Sequence, residues 1–363
     1  MARSQDSTAF DRTRAEAFAQ RFMATLNQGA LCLMASIGHR TGLFDVMRDL
    51  PPSTSAEIAA RAHLSERYVR EWLGAITTGG IVDVDPDTGL FSLPAEHAAY
   101  LTRAAVADNM ACFAQYIGVL GGVEDDIVEC FKHGGGVPYA RFPRFHELMA
   151  EDSAQSVLSS LESGILTLVP ELTARLTTGV RVLDGGCGRG LVSIRLAELY
   201  PRSRFVAIDL SEEAITYART EATARRLRNV EFIVADLSDF DRTAEPMSFD
   251  VVTTFDAVHD QARPLNLLKG IHRTLKPDGL YLMQDINGSS HVHKNRDHPL
   301  GPFLYTVSCM HCMTVSLAQG GEGLGAMWGV EKTREYLEKA GFRSVETHRL
   351  AHNVTNNVYV ARK

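Results

Sequence analysis

A glycine cluster, four aspartates and a histidine carry the chemistry this sequence can do. The run Asp184-Gly-Gly-Cys-Gly-Arg-Gly190 holds four glycines, between the apolar run Val180–Leu183 and the helically spaced Leu191–Tyr200. Strand, glycine-rich turn and helix N-terminus together bring a small ligand onto bare backbone. The dinucleotide fingerprint G-x-G-x-x-G does not fit. Framed from Gly186 it puts Leu191 in the third glycine slot, and framed from Gly188 it puts Ser193 there. The pattern is D-x-G-x-G-x-G, led by an acid, which disfavours a nicotinamide enzyme. Three further apolar runs end in carboxylates: Arg204–Leu210 with Asp209, Val230–Leu237 with Asp236, and Phe249–Phe255 followed by Asp256. Strands that finish in Asp or Gly at one edge are what an open parallel α/β sheet offers a ligand in its crevice. His259 follows three residues after Asp256, where an imidazole could take a proton near neutral pH.

The acid-led glycine turn and the acids after it resemble the motifs of class I S-adenosylmethionine (SAM)-dependent methyltransferases. That resemblance covers roughly residues 167–363. It implies that backbone at Gly186 and Gly188 faces the methionine part of SAM, within a turn completed by Gly185 and Cys187. Asp184 would lie near the amino group. Asp209, with Leu210 beside it, would hold the ribose, Asp236 with Leu237 the adenine, and Phe255 with Asp256 the methionine end. His259 would then stand near the methyl acceptor as its base or contact, the alternative being a residue that shapes the loop. Asp260 could orient the ring or cap the following helix.

The elements that must position these groups can be read in order. Phe18–Gly38 and Gly42–Leu50 have helical texture. Ser55 can cap a helix AEIAARA, a turn at 63–65 leads to the helix Glu66–Thr77, and Ile81–Val84 with Leu90–Leu93 reads as a hairpin. This is a winged-helix pattern. Through Tyr100 there are nine Arg and no Lys against twelve Asp and Glu. A DNA reader needs charge that neutralises phosphates, so dimerisation is the preferred role. Thr102–Leu176 is helical in texture with one interruption, His133–Pro143 (HGGGVPYARFP), a connector or a pocket wall. Beyond Asp256 come a helix at Leu265–Leu275, a turn at 276–279, a fifth strand Leu280–Ile286, an insertion at 287–330 rich in Gly, His and Ser whose fold the sequence leaves open, a helix Glu331–Ala340, and an antiparallel pair Val345–Leu350 and Asn357–Ala361. The expected fold is α/β: a Rossmann-like seven-stranded methyltransferase sheet with helices on both faces, preceded by an α-rich winged-helix domain. The expected domains are 1–105, a linker 106–166, and 167–363.

The runs ERYVREWL, GVPYARFPRFHELM, FDAVHDQARP and HCMTVSLAQGGEGLGAMWG resemble a bacterial group, with mycobacterial members, of small-molecule methyltransferases. The preferred reading makes the connector a lid or pocket wall and 310–314 and 320–328 a lid over the acceptor, with Tyr139, His146, His311 and Trp328 as substrate contacts; core packing is the equal alternative for Trp328. His291, His293, His298, Cys309 and Cys312 are soft-metal ligand types, but only one Cys pair is present and the two leading histidines lie in a polar loop. No metal is expected. A redox Cys309/Cys312 pair lacks thioredoxin-like context.

The expected function is therefore SAM-dependent methyl transfer to O, S or N of a small molecule. The alternative is a SAM-sensing winged-helix transcriptional regulator. A net charge of −7 gives no broad basic surface for nucleic acid. The first fourteen residues hold no apolar stretch, and no run reaches transmembrane length. Six scattered cysteines make a disulfide framework unexpected. A cytoplasmic homodimer is the expectation.

Overall fold

A computed structural model describes residues 10–350 and 353–363. The chain divides into two compact units, Met1–Gly118 and Val119–Lys363. Most of the expected linker, residues 119–166, thus belongs to the same unit as the glycine turn.

In the first unit the leading helix is longer than the apolar texture suggested. It runs Arg12–Thr41, starting where the Asp11 carboxylate accepts the Arg14 N–H and ending at Gly42, whose φ is 74°. Its later turns pack into the unit. Gly38 lies so close to Phe44 and Trp72 that a Cβ would stand 2.7 Å from each ring. Those rings join Leu43, Ile58, Val69, Leu73 and Ile76 in one core. The cap of the helix Ser55–Ala62 is Thr54 rather than Ser55: Thr54 and Glu57 form a reciprocal capping box. The hairpin is present but short, pairing β1 (Asp83–Val84) with β2 (Phe91–Ser92).

The second unit is built on a seven-stranded sheet. Its strands are β3 (Arg181–Gly185), β4 (Arg204–Asp209), β5 (Val230–Val234), β6 (Phe249–Phe255), β7 (Leu275–Ile286), β8 (Ser344–His348) and β9 (Asn356–Arg362). The spatial order is β5-β4-β3-β6-β7-β9-β8. Strands β3 to β7 pair in parallel and β9 runs antiparallel between β7 and β8. Near-continuous burial along β3, β6, β7 and β9 reflects helices on both faces. One face packs Val252, Tyr281, Met283 and Tyr359 against the helices Pro264–Thr274 and Gly329–Ala340. The other packs Val251, Leu280, Leu282 and Val358 against Leu196, Val157 and Leu161. Strand order reverses between β4-β3 and β6, so the crevice at the C-terminal ends of β3 and β6 is the switch point where such sheets bind ligands.

Two local expectations change, and the insertion, whose fold the sequence left open, takes shape. The segment 276–279 is taken into the start of β7, and the β6–β7 register shifts between Phe249 and Val251. Residues 102–176 are interrupted repeatedly rather than once, and include π-helical turns at Ala154–Leu158 and Leu161–Ile165. The insertion is mostly helical, with Gly301–Val307, a π-turn Ser308–Cys312 and Met313–Ala318. Its glycines serve close approach: a Cβ on Gly321 would lie 2.5 Å from Ala262 Cα, and one on Gly329 2.1 Å from the Ser290 nitrogen.

Candidate active site

The glycine turn is set by geometry that side chains would block. Gly186 has φ 71°, and a Cβ there would meet the Ala257 Cβ at 2.5 Å; Gly190 has φ 69°, and its Cβ would meet Phe232 at 2.4 Å. Gly188 also has positive φ, yet nothing lies within 4 Å of where its Cβ would be. The turn therefore presents open backbone at Gly188, just ahead of the helix Leu191–Leu199. Gly185 closes β3, and Cys187 is half-buried with its N–H donating to Ile208 O at 3.0 Å.

Asp184 lies beneath this turn and is 4% exposed. Its two oxygens accept the hydroxyls of Ser193 (2.7 Å) and Thr253 (3.0 Å), so it ties β3 to the following helix and to β6. Burial pushes its carboxyl up to about 6. These bonds make Asp184 a brace of the turn.

Asp209 ends β4 beside the open backbone. One oxygen accepts the Gly188 N–H and the other the Ser211 N–H, each at 2.8 Å. This fixes the carboxylate while leaving further lone pairs on each oxygen. Leu210 next to it is 49% exposed, an apolar surface at the crevice. Asp236 is exposed; its Oδ1 accepts from the Ser238 N–H and hydroxyl, and Leu237 beside it is buried. At the end of β6, Phe255 packs on the core while Asp256 turns to φ 52°. The Asp256 carboxylate accepts from Gln284 Nε2 (2.9 Å) and from Asn356 Nδ2. Burial, then the charge of Asp285, pushes its carboxyl up to about 8.

His259 is buried, and its Nδ1 lies 2.8 Å from Asp285 Oδ1. The same oxygen accepts the indole N–H of Trp328 at 3.0 Å and the Ile286 N–H at 2.8 Å. Burial disfavours the charged imidazolium. Asp285, and then Cys312 against the ring, outweigh it, so the His259 pKa is raised well above the ordinary value. Asp285 rather than Asp260 thus orients the ring. Asp260 instead accepts the Tyr139 hydroxyl, and the helix Pro264–Thr274 has Arg263 at its cap position. Trp328, expected to face the acceptor, is 4% exposed and packs on Tyr336; its contribution is to hold Asp285.

Connector and insertion meet around this histidine. Val137 N–H donates to the Thr314 hydroxyl at 2.8 Å, and a Cβ on Gly136 would stand 2.0 Å from Thr314 O. Gly325 N–H donates to His259 O, Glu322 N–H to Ala262 O, and Ser316 Oγ to Gln261 O. Tyr139 stacks on His146 with centroids 5.8 Å apart, and His311 stacks on Phe145 at 3.5 Å. The structure brings the rings of Tyr139, His146 and His311 together. Asp285 was missed as a positioning group: the sequence shows it only as a strand end, and its partnership with His259 depends on β6 and β7 being neighbours. Cys309 and Cys312 share one turn, and none of the six cysteines is in a disulfide.

Comparison with known proteins accords with this architecture. Residues 29–103 match the Rv2258c-like winged HTH domain and residues 176–341 a methyltransferase domain. The fold of the mitomycin 7-O-methyltransferase superposes with a TM-score of 0.67 at 20% identity, covering 97% of this chain and 100% of that one. This is the class I methyltransferase fold. Human N-acetylserotonin methyltransferase, solved in complex with SAM, superposes with a TM-score of 0.67 at 18% identity, covering 98% and 99% of the two chains. A ubiquinone biosynthesis O-methyltransferase from Neisseria meningitidis serogroup A is 32% identical over 118 residues, 32% of this chain and 48% of the relative. The chain spans about half the length of that curated relative. The residues at the crevice have the chemistry to hold SAM: there is open space beside Gly188, and Asp209 and Asp236 keep acceptor capacity for hydroxyl and amino donors.

Proposed function

We propose that this chain transfers the methyl group of SAM to an O, S or N atom of a small molecule, with His259 as the base. The observation that carries the reading is the contact between cofactor turn and base segment. Gly186 abuts Ala257, and two residues on His259 is held by Asp285, which Trp328 holds in turn. When bound, SAM supplies a sulfonium methyl that leaves by in-line displacement, so positioning accounts for much of the rate. The Gly186–Gly188 backbone, Asp209 with Leu210, Asp236 with Leu237, and Phe255 with Asp256 hold the cofactor, and Asp184 keeps the turn in shape. The carboxylate of Asp285 fixes the tautomer with the proton on Nδ1. The opposite nitrogen, Nε2, is then the atom that takes the acceptor's proton. Tyr139, His146 and His311 surround the acceptor.

Support for an enzyme over a DNA-binding regulator comes from the helix Glu66–Thr78. Its two arginines are already engaged: Arg67 with Glu71 and Arg70 with Glu66, each at 2.6 Å. Phosphate contacts would have to compete with those pairs. The homodimer is proposed from the exposed apolar face of the helix Arg12–Thr41. A cytoplasmic location is proposed from six cysteines that form no disulfide. Among the described residues no helix is long and apolar enough to cross a membrane.

Calorimetry of SAM binding tests the cofactor half of the reading. Asp209→Ala is expected to weaken SAM by about 1–3 kcal/mol through lost hydrogen bonds to a charged acceptor. Unchanged affinity would remove Asp209 from the site.

A further inference from the structure

His311 is 1% exposed, and neither its Nδ1 nor its Nε2 has a hydrogen-bond partner. Buried polar groups in folded proteins are nearly always satisfied, and the exceptions concentrate where a ligand or water supplies the partner. Its place argues for a ligand. The residue sits on the π-turn Ser308–Cys312, a widened turn of the kind found at functional sites. The ring lies flat on Phe145 at 3.5 Å, with Phe142 and Tyr139 edge-on at 4.8 and 5.1 Å. Burial, followed by the neighbouring His259 and His146, lowers its pKa well below the ordinary histidine value. A neutral imidazole offers one N–H donor and one acceptor nitrogen, and no charge.

The surroundings narrow what it can receive. Asp256, Asp260 and Asp285 crowd the same strand ends. Their partners are Gln284 and Asn356, Tyr139, and His259 with Trp328; among the described residues none of the three has a Lys or Arg partner. These groups offer an anionic acceptor no guanidinium or ammonium partner. The ring faces of Phe145, Tyr139 and His146 favour a flat molecule. We propose that His311 is a specificity-determining residue: it binds a second hydroxyl on an uncharged aromatic acceptor whose first hydroxyl faces His259. This rests on the methyltransferase reading and adds the acceptor's class.

The test is equilibrium binding to the full-length protein saturated with S-adenosylhomocysteine. The probes are phenol, catechol, resorcinol and hydroquinone, and 3,4-dihydroxybenzamide against 3,4-dihydroxybenzoate. At least one diol is expected to bind roughly tenfold or more tightly than phenol, the cost of leaving a buried polar group unpaired, and the amide more tightly than the carboxylate. His311→Phe should erase the diol preference while S-adenosylhomocysteine affinity stays at the wild-type value. His311→Gln, which keeps a donor and an acceptor, should restore part of it. A diol preference retained in His311→Phe, no diol binding at all, or tighter binding of the benzoate would each overturn the proposal. Turnover assays on the same diols separate the two claims. A diol that binds with the expected preference but yields no methylated product sinks the methyltransferase reading and leaves the His311 assignment standing.

Discussion

Asp285 Oδ1 lies 2.8 Å from His259 Nδ1 and serves three donors at once, the imidazole, the Trp328 indole and the Ile286 amide. Its Oδ2 has no partner. A single oxygen thus fixes the tautomer of the base and anchors the insertion through Trp328. Asp285→Asn keeps the shape and removes the charge. Turnover should fall by roughly 10²-fold, and the rising limb of the pH–rate profile should move down toward the ordinary histidine value of about 6.5. An unmoved limb with a normal rate would leave Asp285 a packing residue.

Asp256 predicts a pH dependence of stability. Its carboxyl is pushed up to about 8 in the folded protein, against about 3.9 for an unfolded aspartate. The folded state therefore binds this proton more tightly. The stabilisation is fully present below the unfolded value and is lost as pH rises through the folded one. Asp184 and Asp260, each pushed up to about 6, lose their share lower in the same range. Asp256→Asn cannot ionise, so between about pH 6 and 9 its Tm should fall less than the wild type's, by a few degrees. Parallel Tm curves would contradict the burial argument.

The sheet was legible in the sequence because its first four strands are apolar runs that stop at or just before Gly185, Asp209, Asp236 and Asp256. His259 was legible by its distance from Asp256. What position alone did not reveal was Asp285, because the partner of a histidine is decided by strand adjacency, here Phe255 opposite Gln284. The fold of the insertion stayed open because its glycines and serines look like loop composition. In the fold they permit close approach: Gly321 to the Ala262 backbone, Gly329 to the Ser290 backbone, and Gly325 to the Ser308 hydroxyl. Trp328 was open between a lid residue facing the acceptor and core packing, and its burial favours packing.

The helix Arg12–Thr41 carries a prediction about assembly. Phe18, Phe22, Leu26, Leu33 and Ile37 are 42–62% exposed, and their spacing puts them on one face. A contiguous exposed apolar stripe marks an association surface, and a second copy would cover it about a two-fold axis. Light scattering at micromolar concentration should give a dimer. The double variant Phe22→Ser, Leu26→Ser should give a monomer with native circular dichroism. A monomeric wild type would count against the stripe as the dimer interface.

The account rests most heavily on His259 as the base beside bound SAM. Single-turnover formation of S-adenosylhomocysteine, followed from about pH 6 to 9 for the wild type and His259→Gln, tests it most directly. The account predicts unchanged SAM affinity, a rate lowered by roughly 10²–10⁴-fold with a hydroxyl acceptor, and loss of the rising limb, which in the wild type lies above the ordinary histidine pKa. A His259→Gln enzyme that turns over at the wild-type rate with the same pH profile would contradict it.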